Sequence, residues 1–242
     1  LVGASAAPAK LGYGIARNLI ACGYGGALHF VNPRGGQLFG HPLVPDLADV
    51  PDPVDLAVLV IPAAATPAGL RACARRGIRA VILISGGFGE TGPEGTALEA
   101  ECLQIAQENG IRFLGPNCIG LLDTHLPLDT TFLAPPAPLP GEVAVLAASG
   151  ALCAGLIDSA RALGLGFSRL VTPGNQADLC EADLLPALAA DPHTTVIAVY
   201  LEGFRAGRRF VEEAAKITPH KPIVALKVGR SAAGRQAAAS HT

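Results

Sequence analysis

The chain holds 242 residues, of which 50% are apolar and 16% charged, and its formal net charge is −2. That balance excludes the basic footprint of a nucleic-acid binder and the polybasic anchor of a membrane-surface protein, and no apolar run approaches the ~20 residues that span a bilayer. The length is generous for one core and comfortable for two, so two domains are expected, with small molecules or another protein as partners.

Six cysteines (Cys22, Cys73, Cys102, Cys118, Cys153, Cys180) are scattered, without a C-x-x-C pair or a histidine at ligand spacing. No metal site is expected, and a reduced, cytoplasmic setting is the simplest reading. The chain has no methionine, lacks the charged n-region of a signal peptide, and opens on Leu1-Val-Gly-Ala-Ser inside a predicted strand, so it is expected to be part of a longer protein.

Short β-branched and leucine-rich runs alternate with amphipathic stretches, the rhythm of βαβ units around a parallel sheet. In the first half, strands are predicted near 1–3, 27–31, 55–61, 79–84 and 112–114, with helices near 11–22, 66–76 and 95–109. In the last helix Leu98, Cys102, Ile105 and Ala106 share one face while Glu99, Glu101, Gln104 and Glu108 point away, as a helix covering a sheet requires. This half reads as a doubly wound domain.

Ligands of such a sheet bind beyond the carboxyl ends of its strands. After the first strand, a small-residue loop with Gly3, Ser5, Lys10 and Gly12 runs into a helix. Its free N–H groups and the positive helix end suit a phosphate, each charge–dipole contact contributing roughly 0.3–1 kcal/mol. The spacing is not G-x-G-x-x-G, and Asn32-Pro33-Arg34 stands where an NAD site carries an acidic residue. The pattern favours a phosphate-bearing ligand whose anionic groups meet Lys10 and Arg34, although a tight turn alone would also use these glycines. Pro62 follows the third strand. Ser85-Gly-Gly-Phe-Gly-Glu-Thr-Gly92 follows the fourth, with enough glycines to predict close backbone approach to a ligand. After the fifth comes Gly115-Pro-Asn117-Cys-Ile-Gly120, whose Asn117 either holds a strained turn or touches substrate. No nucleophile–base pair is evident, so this half reads as a binding domain.

From Thr124 to Gly141 periodicity lapses and prolines gather, which predicts a stiff linker at a domain boundary. Beyond it, strands near 143–147, 168–172, 195–201 and 222–228 alternate with helices near 150–163, 181–190 and 205–217, a second α/β unit with flavodoxin-like rhythm. Its first strand ends at Ala148-Ser149-Gly150-Ala151, where Ser149 is an N-cap by type and the N–H groups of Gly150 and Ala151 suit a phosphate, although ordinary capping needs none. Glu202 ends the third strand, and the last strand empties into a glycine- and alanine-rich loop that carries His241. Referred to one sheet edge, the three have a chemical sense. A histidine can take a phosphoryl group, a glutamate can fix its tautomer, and a helix N-terminus can hold the phosphate oxygens. A serine hydrolase fits less well, because Ser149 lacks the G-x-S-x-G elbow.

In order, Val2-Gly-Ala-Ser5, Val31-Asn-Pro33, Ser85-Gly-Gly-Phe-Gly-Glu-Thr-Gly92, Gly115-Pro-Asn-Cys-Ile-Gly120, Ala148-Ser-Gly-Ala-Leu152, Gly174-Asn-Gln-Ala-Asp178, Tyr200-Leu-Glu-Gly203 and Ala239-Ser-His-Thr242 resemble motifs of the nucleotide-diphosphate-forming acyl-CoA synthetases. The similarity is to the α-type portion of the ADP-forming acetate–CoA ligases, relatives of the succinyl-CoA synthetase α subunit. Each motif is weak alone; the ordered set is specific and covers essentially the whole chain.

The resemblance implies an α/β fold with parallel sheets. A Rossmann-like CoA-binding domain would occupy 1–123, a Pro-rich linker 124–141, and a flavodoxin-like CoA-ligase domain 142–242, cut off at the phosphohistidine loop. It implies that coenzyme A, a substrate, is held at Gly3, Ser5, Lys10, Gly12, Asn32, Pro33, Arg34, Pro62 and Ser85, with Asn117 beside the substrate. Phosphate would sit at Ser149, Gly150 and Ala151, and His241 would carry the phosphoryl group, steadied by Glu202. ADP/ATP with Mg would belong to an ATP-grasp β-type module, fused or separate, and an oligomer is expected.

The family's Ser-Gln-Ser-Gly reads Ala147-Ala-Ser-Gly150 here, which weakens one expected phosphate contact. The chain has no G-x-x-x-x-G-K-[ST] loop and no ATP-grasp sequence, so it cannot complete an ATP-linked cycle alone. Similar α-type regions sense acetyl-CoA in bacterial protein-lysine acetyltransferases, but a sensor has no need of the histidine. A bare CoA-binding protein would leave the second domain unexplained. Acetate is the default acyl group by resemblance, and no residue identifies an acyl pocket.

Overall fold

The computed structural model describes residues 1–229. The first sheet is built from β1 (Phe30–Val31), β3 (His41–Val44), β4 (Leu56–Leu59), β5 (Ala80–Leu83) and β6 (Arg112–Leu114), with β2 (Gln37–Leu38) forming a hairpin with β3. Val2 bridges Val31 on one side and Leu59 on the other, both in parallel sense, and joins the two halves into the order β3-β1-Val2-β4-β5-β6. The winding reverses at Val2, so the switch-point crevice of a doubly wound sheet opens above the loop that follows it.

Helices α1 (Leu11–Ala21), α2 (Thr66–Arg75) and α3 (Pro93–Glu108) cover this sheet. The predicted strand over 1–3 contracts to one bridging residue and that over 27–31 to two. A strand exists only where a neighbour lies alongside to exchange hydrogen bonds, and apolar composition does not reveal that.

The second sheet contains β7 (Gly120–Asp123), β8 (Leu128–Asp129), β9 (Pro140–Ala147), β10 (Phe167–Thr172), β11 (Val196–Leu201) and β12 (Ile223–Lys227), in the order β12-β11-β9-β10-β7-β8. Strands β9 to β12 are mutually parallel. At the far edge β7 runs antiparallel to β10, with Leu122 opposite Leu170, and β8 runs antiparallel to β7. The expected boundary at 123 and linker over 124–141 fall within this sheet's strands. Residues 120–123 join the second sheet, and 124–141 contains β8 and the start of β9. Helices α4 (Gly150–Ala162), α5 (Glu181–Ala190) and α6 (Gly207–Ile217) complete this unit.

One cluster of buried side chains runs from Ile15, Phe30, Ile82 and Leu114 in the first half to Leu146, Val171, Leu185 and Val199 in the second. Polar contacts reinforce it. Asn18 Nδ2 donates to the carbonyls of Thr131 (2.9 Å) and Leu133 (3.0 Å). A segment of the second unit also lies along the exit of β6, where Leu179, Ala177 and Asn175 donate their N–H groups to the carbonyls of Phe113 (3.2 Å), Gly115 (3.1 Å) and Pro116 (2.9 Å). No helix among the described residues is long and apolar enough to cross a membrane.

Helix α1 presses against the turn after Val2 so closely that a Cβ on Gly12 would lie 2.1 Å from the carbonyl oxygen of Gly3. Alanine would improve helix propensity by about 1 kcal/mol, but the overlap is with rigid backbone, and overpacking costs about 1–3 kcal/mol. Gly12→Ala is therefore expected to lower the urea midpoint; an unchanged or raised midpoint would contradict this packing.

Candidate functional site

The loops at the carboxyl ends of the first sheet meet around Val2. Gly3 turns the chain with φ +90°. Asn32 spans two of these loops: its Nδ2 donates to Ala4 O at 2.6 Å and its Oδ1 accepts from Arg34 N at 2.9 Å. Ser5 Oγ accepts from Ala7 N at 3.1 Å. Lys10 is the extended residue immediately before α1, and the first turn of that helix contains no acidic residue. Lys10, Pro33, Arg34 and Pro62 are exposed, while Ser5, Asn32 and Ser85 are half-buried. The rim thus offers two cations and an open helix N-terminus, an arrangement suited to an anion.

The glycine-rich loop after β5 is braced from within the chain at Gly87, Phe88 and Gly89. Their N–H groups are taken by carboxylates of the same chain: Glu90 Oε1 accepts from Gly87 N (2.5 Å) and Phe88 N (3.2 Å), and Glu99 Oε2 accepts from Gly89 N (3.2 Å). Asn175 Nδ2 donates to both acids, at 2.5 Å to Glu90 Oε2 and 2.8 Å to Glu99 Oε2, while its Oδ1 accepts from Asn117 Nδ2 at 3.2 Å. Burial pushes the Glu90 carboxyl up, but the donors from Asn175, Gly87 and Phe88 outweigh it and hold the group below the ordinary glutamate range.

Asn117 occupies the left-handed region at φ +57°, and its N–H donates to Ser85 O at 3.0 Å. Next to it, burial pushes the Cys118 thiol up to about 12. Nucleophilic sulfur needs the thiolate, so this cysteine is inert at neutral pH.

At the second sheet, β9 and β11 are parallel with Ala147 opposite Tyr200. Ser149 and Glu202 each follow two residues later, at the same edge. Ser149 caps α4 by accepting from Leu152 N at 3.3 Å. A Cβ on Gly150 would come within 2.6 Å of Ile119 Cγ2, so the start of α4 packs directly on the Gly115–Gly120 loop. Ala151 is exposed, and the first turn of α4 holds no acidic residue. Tyr200 Oη donates to Glu202 Oε1 at 3.4 Å. Burial, then the Glu202 carboxylate, pushes this phenol above its ordinary value, so it remains a donor. Lys227 Nζ donates to Glu202 O at 2.7 Å. His241 lies outside the described residues. Strand β12 ends at the same edge, with Lys227 opposite Leu201.

Among the described residues no group of three or more His, Cys, Asp or Glu side chains is arranged to hold a metal ion. Glu90, Glu99 and Asn175 escaped the sequence reading as bracing residues. The signal for Asn175 was its place in Gly174–Asp178, just beyond the carboxyl end of β10.

Residues 1–124 match the family described as "CoA binding domain", and residues 140–242 match "Succinyl-CoA ligase like flavodoxin domain". Over its full length the chain is 42% identical to the acetate–CoA ligase [ADP-forming] II subunit alpha of Pyrococcus furiosus, of which it spans 52%. It is 38% identical to acetate–CoA ligase [ADP-forming] I of Archaeoglobus fulgidus, again over its whole length, and spans 35% of that protein. Its fold is similar to that of the dinucleotide-forming acetyl-coenzyme A synthetase 1 of Ca. Korarchaeum cryptofilum in complex with phosphate and ADP, with a TM-score of 0.93 and 39% identity over 99% of this chain and 52% of that one. The chain thus spans about half the length, or less, of these relatives.

A carboxyl held below its ordinary value stabilises the fold above the unfolded-state pKa, ~4.3 for glutamate, and that contribution is lost as pH falls through the folded value. Thermal melts should therefore show Glu90→Gln less stable than the parent at pH 7, with the gap closing as pH drops below about 4. A gap that persists unchanged at pH 3 would contradict the hydrogen-bonded carboxylate.

Proposed function

Because the chain belongs to the CoA-binding domain family and continues into a succinyl-CoA ligase-like flavodoxin domain, we propose that it is the α-type part of an ADP-forming acyl-CoA synthetase, with acetyl-CoA the first substrate to test. The observation that carries this reading is the contact between the two site edges. Gly150, at the start of α4, packs on Ile119 of the loop that leaves β6. A thioester delivered from the first edge would then reach a phosphate held at the second.

In this reading Lys10 and Arg34 meet the anionic groups of coenzyme A, Gly3, Ser5, Gly12, Asn32, Pro33, Pro62 and Ser85 form its cradle, and Asn117 lies beside the acyl end. Ser149 Oγ accepts from Leu152 N and can still donate its O–H, so it joins the N–H groups of Gly150 and Ala151 and the positive end of α4 in holding the phosphate. Ala148 supplies no side-chain donor there.

A phosphate oxygen attacks the thioester carbonyl, the C–S bond breaks, and CoA leaves as the thiolate with acyl phosphate formed. A neutral ring nitrogen of His241 then attacks phosphorus, the bond to the acyl oxygen breaks, and the carboxylate leaves. Glu202 accepts the other ring N–H and fixes the tautomer. Transfer of the phosphoryl group to ADP completes acyl-CoA + ADP + phosphate ⇌ carboxylic acid + ATP + CoA.

The nucleotide and its Mg belong to an ATP-grasp β-type module, fused or separate. The half of the relatives that this chain does not span leaves room for it. An oligomer in the cytoplasm fits the same picture. Nothing in the matches reported favours the acetyl-CoA-sensing alternative.

His241→Asn is expected to abolish phosphate-dependent turnover of acyl-CoA in the complete synthetase while calorimetry records CoA binding within about twofold of the parent. Retained turnover would rule the phosphohistidine out.

A further inference from the structure

Glu181, the first residue of α5, is 0% exposed, and the site described so far does not use it. Its Oε1 accepts two backbone hydrogen bonds, from Arg205 N at 3.0 Å and Ala206 N at 3.2 Å. Among the described residues its Oε2 has no hydrogen-bond partner. An unmatched oxygen on a buried carboxylate opposes stability, and such a group calls for an explanation other than packing. The two peptide groups it holds belong to the loop that leaves β11 through Glu202 and Gly203 into α6.

Elsewhere that loop is held by Lys227 Nζ on Glu202 O at 2.7 Å and by the Phe204 ring against Phe210, with centroids 5.1 Å apart. Gly203, Phe204 and Arg205 are exposed, and among the described residues a Cβ on Gly203 would meet nothing within 4 Å. Glu181 is in turn tied to the bracing loop of the site, because its own N–H donates to Gln176 Oε1 at 3.2 Å, and Gln176 adjoins Asn175, which binds Glu90 and Glu99. A continuous path of hydrogen bonds and peptide links therefore runs from the glycine-rich loop of the first domain, through Asn175, Gln176 and Glu181, to the loop that carries Glu202.

We propose that Glu181 is a positioning residue for Glu202: its buried carboxylate fixes the turn over 203–206 and so sets the direction in which Glu202 leaves β11. The idea rests on the synthetase reading for the importance of Glu202, but the clamp itself does not. Glutamine keeps the accepting oxygen at Oε1, whereas alanine removes it. Glu181→Ala should therefore release the loop, and Glu181→Gln should hold it.

Two readouts test this in the full chain and the complete synthetase. By amide hydrogen exchange, Arg205 and Ala206 should exchange at least about tenfold faster in Glu181→Ala, with β9 and β11 unchanged, and should remain protected in Glu181→Gln. In turnover assays Glu181→Ala should lower kcat by about 10- to 100-fold with KM for acyl-CoA unchanged, as expected when a group is misaimed while substrate binding is untouched. Glu181→Gln should retain at least about half of the parent kcat.

Unchanged exchange in Glu181→Ala, or a rise in KM without a fall in kcat, would overturn the proposal. So would a glutamine variant as impaired as the alanine one. If Glu181→Ala does not fold, loss of protection or of turnover in Glu181→Gln overturns the proposal, and retention of both supports it. A parent without phosphate-dependent turnover would refute the synthetase reading, while the exchange experiment would still decide whether Glu181 holds the loop.

Discussion

The rest of the molecule depends on how the segment from Asn175 to Leu179 is laid along the exit of β6. Three N–H groups of the second unit donate to carbonyls at Phe113, Gly115 and Pro116, and Asp178 answers by accepting from Phe113 N at 2.8 Å. Each neutral bond contributes only about 1 kcal/mol net, but a buried peptide group left unmatched costs more than that. The alignment is therefore selected against slippage as well as stabilised. It brings the carboxyl edges of two separately wound sheets to a common crevice, and the packing of α4 on Ile119 follows from it.

The charges divide in the same way. Glu90 and Glu99 accept from peptide and amide N–H groups at the crevice, Asp178 accepts from Phe113 N and the Arg112 guanidinium, and Glu181 Oε1 accepts from two peptide N–H groups. The cations Lys10 and Arg34 stand exposed on the rim. Helices α1 and α4, whose open ends would face the anion, have no acidic residue in the first turn, a feature they share with α2 and α6, while α3 has Glu94 and α5 has Glu181 and Asp183. The absence leaves the positive ends of α1 and α4 open to an anion, because a carboxylate in the first turn would compete for the same end.

The long periodic elements were legible in the sequence. The helices over 93–108 and 181–190 and the strands β9 to β12 fall close to their predicted spans, because burial on one or both faces imposes a repeating pattern. Two-residue strands such as β1, β2 and β8 carry no period, and β7 looked like the tail of the first domain until its partner, β10, came into view nearly fifty residues on.

The same distinction separates what could be read of the site. Residue types at strand ends pointed to Asn32, Ser149 and Glu202. The glycine-rich loop drew attention as a ligand cradle, but the internal bracing of its Gly87, Phe88 and Gly89 N–H groups by Glu90 and Glu99 was not legible. The amide that ties those acids together, Asn175, lies 85 positions from Glu90, a separation that no local pattern encodes. Glu181 was invisible for a related reason, since an acidic residue at a helix start ordinarily needs only the helix dipole to explain it.

We propose that the crevice where these edges meet passes a phosphoryl group to His241. This transfer is tested most directly by incubating the complete, active synthetase with acetyl-CoA and radiolabelled phosphate in the absence of ADP, then mapping the label by mass spectrometry under alkaline conditions. Acid-labile, alkali-stable phosphate is expected on His241, and only when acetyl-CoA is present. An enzyme that turns over normally yet carries no label there, or carries it on another residue, would contradict it.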